Sequence, residues 1–465
     1  MVVFAAILGV WVAVDLANEN YGLAGLIACA FLWVAAEWAG GPHPDAWMLA
    51  ATLFGYIVGN RGFAQFSPSS RFPLLPGEVT LAVGGAALVV RRAFERTPIV
   101  RRNLLNGALL AWMVFGAVRL PWDLHSFGIL ALRDFAMVYY AGYFFIGQAM
   151  GSHAPSVRAL SRALTAAFFA LPFVVVALRL DSELVLRLTW HGIPLIFHKP
   201  DITAAGLVAM IGWLWSLFER NRNRKWLVLA AVAFPLLATL ESPRAAIVAL
   251  VGVTLFWVGA HRWKLVAFEA GVTAGCLTVA FALFIVGKSE FTQTASYATY
   301  ERIVSLVDWY GSRSYDNPDS GSVGYNNRFR VVWWQAVATE TLEQAPIFGL
   351  GFGADLADRF LAEYDRVDAE DFTARSPHSM IMSVFGRMGT LGLALWILVT
   401  IGLVRQTLQA FAQRNFEAMG WWSVAWTFWI SGCFGVVLEG PMGAVLFWSA
   451  AGCANALTTP LEAAP

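Results

Sequence analysis

The feature that most constrains the fold of this 465-residue chain is a long succession of apolar segments. A transmembrane helix needs about 20 apolar residues. Lipid tails offer no hydrogen bonds, so a chain that crosses a membrane must pair its own backbone polar groups, as helices and closed barrels do. Fourteen segments approach or reach that length: 2–17, 21–39, 46–60, 75–90, 103–118, 126–150, 163–179, 202–218, 226–241, 244–260, 264–287, 378–403, 419–437 and 441–457. Only 14% of the residues are charged, compared with about 25% in soluble proteins. The chain is therefore predicted to be an all-α integral membrane protein with about 12–14 transmembrane helices.

The distribution of basic residues predicts how these segments are oriented. Alternate connections carry fifteen Lys and Arg residues, in the ranges 91–102, 158–162, 220–225, 262–264 and 405–414. Cytoplasmic loops are enriched in these residues, so we expect both termini in the cytoplasm. The first segment lacks the basic n-region and cleavage site of a signal peptide, and we expect it to remain in the protein. Lys plus Arg total 32 and Asp plus Glu total 31, a balance that does not indicate a nucleic-acid partner.

One long connection, 288–376, divides the chain into three predicted domains. The N-terminal membrane part comprises residues 1–287, and the C-terminal membrane part comprises 377–465. Under the predicted orientation the connection lies outside the cytoplasm. Its 14 acidic and 8 basic residues are typical of a solvated domain, and long loops are commonly functional.

The connection contains a predicted amphipathic helix from about Tyr325 to Gln344, which Pro346 ends. Its apolar residues recur at i, i+3, i+4 and i+7: Phe329, Val332, Trp333 and Ala336. That spacing is typical of a helix lying on a membrane or on another part of the protein. Arg328 and Arg330 lie in its first turn, where they could anchor the helix at the membrane interface or bind an anion.

No residue pattern in the chain predicts a metal site or a cofactor. The four cysteines lie in apolar runs without CxxC spacing, and there is no Asp-x-Asp. The acidic run 365–371 could hold calcium, but a solvated loop face is favoured. The glycine run 349–353 could present amides to an anion. A return turn is favoured there, because no βαβ unit or Gly-Lys-Ser/Thr accompanies the glycines.

Several cationic side chains are predicted at one depth, at the external ends of the helices. His378 lies at the external mouth of the predicted membrane segment 378–403 and could act as a base or as a structural hydrogen-bonding group. Further candidates at this level are Arg133, Arg244, Arg387, Arg328 and Arg330, with His198 and Lys199 in the connection 180–201. Charges in a membrane are costly unless they are paired or hydrated. Guanidinium groups clustered there would suit a lipid-linked phosphate or diphosphate.

The order of four short motifs resembles the O-antigen ligase and O-antigen polymerase superfamily. The motifs are Ser242-Pro243-Arg244-Ala245-Ala246, Arg330-Val331-Val332-Trp333-Trp334 with Pro346-Ile347-Phe348-Gly349-Leu350-Gly351-Phe352-Gly353, Pro377-His378-Ser379, and Gly389-Thr390-Leu391-Gly392-Leu393. The resemblance covers about 230–405. The chain departs from the family pattern at Ser379, where Asn is usual, and at Arg387, where Glu is common.

This resemblance implies a GT-C-like glycosyltransferase of a bacterial inner membrane, active in lipopolysaccharide or exopolysaccharide biosynthesis. It would move a glycan from undecaprenyl diphosphate to an acceptor hydroxyl at the periplasmic face, with inversion and without a metal. The acceptor would be lipid A core for a ligase, or a second lipid-linked glycan for a polymerase. Arg244 and Arg330, with Arg328 beside them, would hold the diphosphate, and His378 would activate or orient the acceptor. Arg133, His198, Lys199 and Arg387 are additional substrate-binding candidates that the residue positions suggest.

Two other functions are compatible with the same residues. A transporter or flippase of lipid-linked sugars would also need cations facing a cavity, but no second half of the chain mirrors the first. A scaffold would use its arginines only to hold lipid headgroups. In a scaffold, alanine at His378 would change nothing except stability.

Overall fold

The computed structural model describes residues 41–66, 75–95, 98–190, 192–240, 244–287, 323–363 and 374–459, with isolated positions between 297 and 316. The predicted segments 2–17 and 21–39 and the acidic run 365–371 lie outside the described residues. In the described part the chain is almost entirely helical. Its one sheet there is the two-stranded antiparallel hairpin of β1 (Thr189–Trp190) and β2 (Ile193–Pro194).

The helices follow the predicted apolar segments closely. They are α1 (Pro44–Val58), α2 (Arg61–Ala64), α3 (Pro76–Glu95), α4 (Leu104–Phe127), α5 (Ile129–Asp134), α6 (Ala136–Tyr139), α7 (Gly142–Ser152), α8 (Ala154–Leu180), α9 (Ser182–Leu186), α10 (Pro200–Asn221), α11 (Lys225–Thr239), α12 (Arg244–Gly259), α13 (Trp263–Gly287), α14 (Val323–Gln344), α15 (Asp358–Glu363), α16 (Met380–Ala412), α17 (Phe416–Cys433) and α18 (Pro441–Thr458). Every predicted segment in the described residues coincides with one or more of these helices.

Five helical segments of the described residues are long and apolar enough to cross a membrane, judged by length and composition. They are Leu104–Phe127, Ile129–Ser152, Ala154–Leu180, Pro200–Asn221 and Met380–Ala412. This confirms the all-α membrane class. The count of 12–14 spans stays a prediction, because α1, α11 and α12 are apolar but shorter.

The predicted segment 126–150 is not one uninterrupted helix. Gly128 adopts a φ of 58°, which separates α4 from α5. Short breaks at Phe135 and at Tyr140 to Ala141 then divide the segment into α5, α6 and α7, although the backbone at both breaks keeps right-handed helical angles. Periodicity over the whole segment did not predict these local changes.

The C-terminal helix α18 is buried against α7 at very short range. A Cβ atom on Gly147 would lie 2.4 Å from the Ser449 carbonyl oxygen, and one on Gly452 would lie 2.0 Å from that of Phe144. Small residues let two membrane helices approach until their backbones touch. This contact holds the end of the chain in the centre of the bundle.

Helix α14 confirms the predicted amphipathic helix, and its apolar face packs on protein. Trp333, Ala336 and Val337 form a small core with α15, separate from the core of the membrane helices. The helix ends at Gln344, as expected from Pro346. Because Met382 of α16 packs against this core, α14 is held beside the first turn of α16.

Helix α16 is interrupted at Gly389, and the turn that follows α14 fills the interruption. Gly389 has φ 65° and ψ −163°. The amides of Thr390 and Leu391 donate to the carbonyl oxygens of Pro346 and Ile347, at 2.9 and 3.2 Å. A break at membrane depth is tolerated when protein groups satisfy its backbone in this way. The loop and α16 are thereby locked together.

Candidate functional site

Side chains of α14 that flank its apolar core contact the ends of other helices. Arg330 Nη1 donates to the carbonyl oxygen of Phe434 at 3.0 Å, after α17 ends. Trp334 Nε1 donates to the carbonyl oxygen of Pro377 at 2.7 Å. Asn327 accepts a hydrogen bond from Arg244 at the start of α12. Residues three and four apart share a helix face, so α14 collects groups from three parts of the chain.

His378 lies in this group with an uncommon backbone conformation. Its φ is 54°, in the left-handed region that costs most non-glycine residues of order 1 kcal/mol. Trp333 contacts the imidazole edge-on, with ring centroids 5.8 Å apart, while Trp334 holds the preceding carbonyl. The two tryptophans therefore fix the position of His378 just before α16.

The charges around His378 favour its neutral form. Burial lowers the pKa of His378 from its ordinary value of 6.5, and the cationic Arg330 and Lys199 lower it further. A hydrogen bond to the Ser376 backbone and the Asp201 carboxylate act in the opposite direction. The net shift is downward, so the imidazole is free to accept a proton at neutral pH.

Lys199 and Asp201 bring an ion pair to the same place from the start of α10. Lys199 Nζ lies 3.2 Å from Asp201 Oδ2, and both side chains are partly exposed. Asp201 also opposes the burial that lowers the pKa of Arg330. Sequence reasoning proposed Lys199 but did not propose Asp201. Asp201 could have been predicted from the sequence, because it lies two positions after Lys199, close enough to pair with it.

Arg244 and Arg330 are brought together through Asn327. Arg244 is buried and donates to the Asn327 side chain, which lies one turn before Arg330 on α14. The amide nitrogen of Asn327 donates to the carbonyl oxygens of Ser305 and Asp308, at 2.7 and 2.8 Å. Both arginines carried over from the family motifs thus lie on the side of α14 that faces His378.

Arg328 is not part of this group. It is exposed on α14. Residues two positions apart in an α-helix, such as Arg328 and Arg330, are separated by about 200° around the helix axis. Its side chain therefore leaves the helix on the side away from Arg330. Its prediction as a neighbour of the diphosphate rested on sequence adjacency alone.

Arg387 and Arg133 meet at one carboxylate. Asp134 Oδ2 lies 2.7 Å from Arg387 Nη1, and its Oδ1 lies 3.1 Å from Arg133 Nε. Adjacent residues of a helix usually point apart, but Arg133 and Asp134 pair with each other here. Buried Arg387 is thus neutralised within the protein.

His198 has a structural environment. One ring nitrogen is 2.8 Å from the carbonyl oxygen of Val58, and the other is 3.1 Å from the Thr203 hydroxyl. Burial lowers the pKa of His198. Since both ring nitrogens already have partners, the side chain joins α1 to α10 and presents no nitrogen to a ligand.

The glycine run 349–353 is a packed turn. Its five amides donate to the carbonyl oxygens of Ala345, Gly386 and Arg387 and to the carboxylates of Asp123 and Asp134, at 2.7–3.2 Å. A Cβ atom on Gly349 would lie 2.4 Å from the Gly389 nitrogen. The glycines permit this close approach, and no amide of the run is left for an anion. The return turn favoured from the sequence is confirmed.

A polar cavity of about 240 Å³ lies next to His378. It is lined by Arg133, Asp134, Met137, Arg375, Ser376, Arg387 and Glu439. Glu439 Oε1 accepts hydrogen bonds from Ser376 and Ser383, both at 2.7 Å, and Arg375 pairs with Asp355 at 2.9 Å. Sequence reasoning missed Glu439, which lies in the short turn before α18. Carboxylates and guanidinium groups that line one cavity can hydrogen-bond the hydroxyls of a sugar.

The site as a whole joins a neutral imidazole, two arginines, an ion pair and a polar cavity at one end of the helices. Arginine forks pair with phosphate oxygens, and a neutral imidazole accepts a proton from a hydroxyl. This combination is suited to group transfer from a phosphorylated donor. No protein-family model and no curated protein matches the chain.

Proposed function

We propose that the protein is a membrane glycosyltransferase that takes a glycan from a polyprenyl diphosphate and transfers it to an acceptor hydroxyl. The observation that carries this proposal is the convergence of Arg244, Arg330 and His378 at one end of the helices. These are the residues that the family motifs suggested independently. A lipid-linked donor suits a site in which a polar cavity adjoins helices of a membrane protein.

Donor binding is assigned to the buried Arg244 and the partly buried Arg330. The Arg330 and Arg244 guanidinium groups pair with oxygens of the diphosphate, and their charge offsets the charge that develops as the diphosphate leaves. Lys199 adds a third positive charge near Arg330. The neighbouring cavity beside Ser376 and Glu439 holds the first sugar through its hydroxyls.

Transfer then requires one base. His378 removes the proton of the acceptor hydroxyl while the acceptor oxygen attacks the anomeric carbon. The bond from that carbon to the diphosphate breaks, and the electron pair leaves with the diphosphate. A single displacement inverts the configuration. Asp201 stabilises the imidazolium that forms, because its carboxylate favours the protonated ring.

The orientation belongs to the same proposal. The site faces the periplasm of a bacterial inner membrane, and both termini are cytoplasmic, as the basic connections predict. The reaction is that of an O-antigen ligase if the acceptor is lipid A core, or of a polymerase if it is a second lipid-linked glycan. Both use the same donor chemistry.

An assay with purified protein tests the proposal. Undecaprenyl-diphosphate oligosaccharide is supplied as donor, with either lipid A core or excess donor as acceptor, and products are separated on a gel. A single addition supports a ligase, and a ladder supports a polymerase. Movement of intact donor across vesicles without product would instead support a flippase.

Arg330→Lys is expected to lower kcat/KM for the donor by about 10-fold or more, because it keeps the charge but loses the bidentate fork. The transfer assay measures the effect at matched protein levels. Arg328→Lys is the matched control, since Arg328 is exposed on the same helix, and it should keep full activity. Equal activity of the two variants would contradict diphosphate binding by Arg330.

Glycan transfer is expected to be lost in acid, so that kcat/KM plotted against pH falls on the acid side, below pH 6.5. The lowered pKa of His378 keeps the ring neutral at pH 7, so activity is lost only as the pH falls through that lowered value. Lys199→Gln removes a cation that lowers this pKa and leaves Asp201, which raises it. The acid limb should therefore move to higher pH.

A profile of kcat/KM against pH measures the position of this limb. Lys225→Gln, at the start of α11, removes the same charge elsewhere and should leave the limb in place. A limb that stays unmoved or moves to lower pH in Lys199→Gln would show that His378 is not the titrating base.

A further inference from the structure

A second cationic cavity lies at the opposite end of the bundle from His378. Its volume is about 570 Å³, and its lining is Arg101, Arg102, Asn103, Leu104, Gly107, Arg405, Gln406, Gln409 and Thr459. It lies where α4 begins and where α16 approaches its end. Since α16 begins beside His378, the cavity and the candidate site are at opposite ends of the same helix.

The cavity is strongly positive. Three of its lining residues are arginines, and none of the described residues that line it is acidic. Arg101 is buried and donates to the carbonyl oxygens of Ala456 and Thr459 and to the Ser152 hydroxyl. Burial lowers the pKa of Arg101 to about 10. The hydrogen bonds position the guanidinium but do not neutralise its charge.

The other two arginines are accessible from outside the protein. Arg102 and Arg405 are exposed, Arg102 just before the start of α4 and Arg405 on α16. Gln406 and Gln409 add amide groups one turn along α16, and the Thr459 hydroxyl donates to Gln406 Oε1 at 2.8 Å. Two exposed guanidinium groups beside the buried one can surround an anion from several directions.

The mouth of the cavity continues into two apolar strips. On α4 the exposed residues are Leu104, Gly107, Ala111, Val114 and Val118, and on α16 they are Leu408, Val404, Ile401 and Ile397. The two helices are in close contact below the cavity, where a Cβ atom on Gly402 would lie 2.8 Å from the Leu105 Cα. A molecule with a charged head in the cavity would therefore have hydrocarbon surfaces on which to lay acyl chains.

We propose that this cavity is a binding site for the phosphate head group of an anionic phospholipid, whose acyl chains lie along the strips of α4 and α16. The ligand group is a phosphate ester, and the apolar strips favour a lipid over free phosphate. Basic pockets between transmembrane helices at the cytoplasmic side bind such head groups. The basic connections 91–102 and 405–414, which predict the cytoplasmic side, supply its three arginines.

Native mass spectrometry of the full chain in neutral detergent tests the site. Dioleoyl phosphatidylglycerol is titrated against the protein, dioleoyl phosphatidylcholine serves as the uncharged comparison, and inorganic phosphate is added as competitor. The double variant Arg102→Gln/Arg405→Gln is expected to weaken phosphatidylglycerol binding about 10-fold to 30-fold. This corresponds to a loss of about 1 kcal/mol of binding free energy for each arginine removed. Phosphatidylcholine should bind weakly to both proteins.

Arg158→Gln/Arg224→Gln is the matched control, because both residues are exposed and belong to other basic connections on the same predicted side. It should retain binding. An equal loss in both double variants, or equal binding of the two lipids, would overturn a specific site. Displacement of the lipid by millimolar inorganic phosphate would overturn the lipid as ligand. The single variants Arg102→Gln and Arg405→Gln, each with a smaller loss, give the same test if the double variant is not recovered.

Discussion

His378→Ala is expected to lower the rate of glycan transfer by about 10²–10⁴-fold, the range that a positioned general base contributes. The imidazole is held beside Arg330 and Lys199, and its lowered pKa keeps it neutral and able to accept a proton. Alanine removes the proton acceptor and its ring contact with Trp333, but it keeps the hydrogen bond from Trp334 that holds the Pro377 carbonyl. The rate is measured in the transfer assay, with donor binding followed separately.

The two readouts separate catalysis from structure. Donor affinity should change little in His378→Ala, since Arg244 and Arg330 remain, whereas the turnover collapses. His125→Ala is the matched control, because His125 is exposed near the end of α4 and carries no role in the proposal. Full turnover in His378→Ala would remove this residue from the mechanism. A loss of thermal stability that accounts for the lost turnover would assign it a structural role.

Gly389→Ala is expected to destabilise the fold by about 3 kcal/mol or more. Alanine would have to adopt the left-handed backbone conformation of Gly389, and its Cβ atom would overlap neighbouring backbone atoms. A Cβ atom there would lie 2.4 Å from the Ile347 carbonyl oxygen and 2.5 Å from the Gly349 nitrogen. Both contacts are with backbone, which has no side-chain rotamer to move. The break in α16 and the turn that fills it would have to separate.

Thermal unfolding in detergent and the yield of monodisperse protein measure this loss. Gly85→Ala is the matched control, because Gly85 lies in α3 with open space around the position of a Cβ atom. Alanine is the better helix former, so this control should be neutral or stabilising. Wild-type stability of Gly389→Ala would show that the loop is not locked into the helix break.

The amino-acid sequence by itself determined the membrane class and the positions of the helices. The predicted segments 264–287 and 441–457 coincide with Trp263–Gly287 and Pro441–Thr458. The length of an apolar run is a local property of the chain, so it can be measured without knowing the tertiary structure. The same local reasoning predicted the apolar face of α14, and it recognised that His378 directly precedes a membrane helix.

Only the tertiary structure decided which charged groups meet. Sequence adjacency grouped Arg328 with Arg330, but helix geometry directs them to different sides. Arg387 was predicted to bind substrate, yet Asp134, from a distant helix, neutralises it. Two amides of the glycine run are likewise bound by the carboxylates of Asp123 and Asp134. The physical reason is that each of these pairings depends on the packing of elements far apart in the chain, which no local pattern encodes.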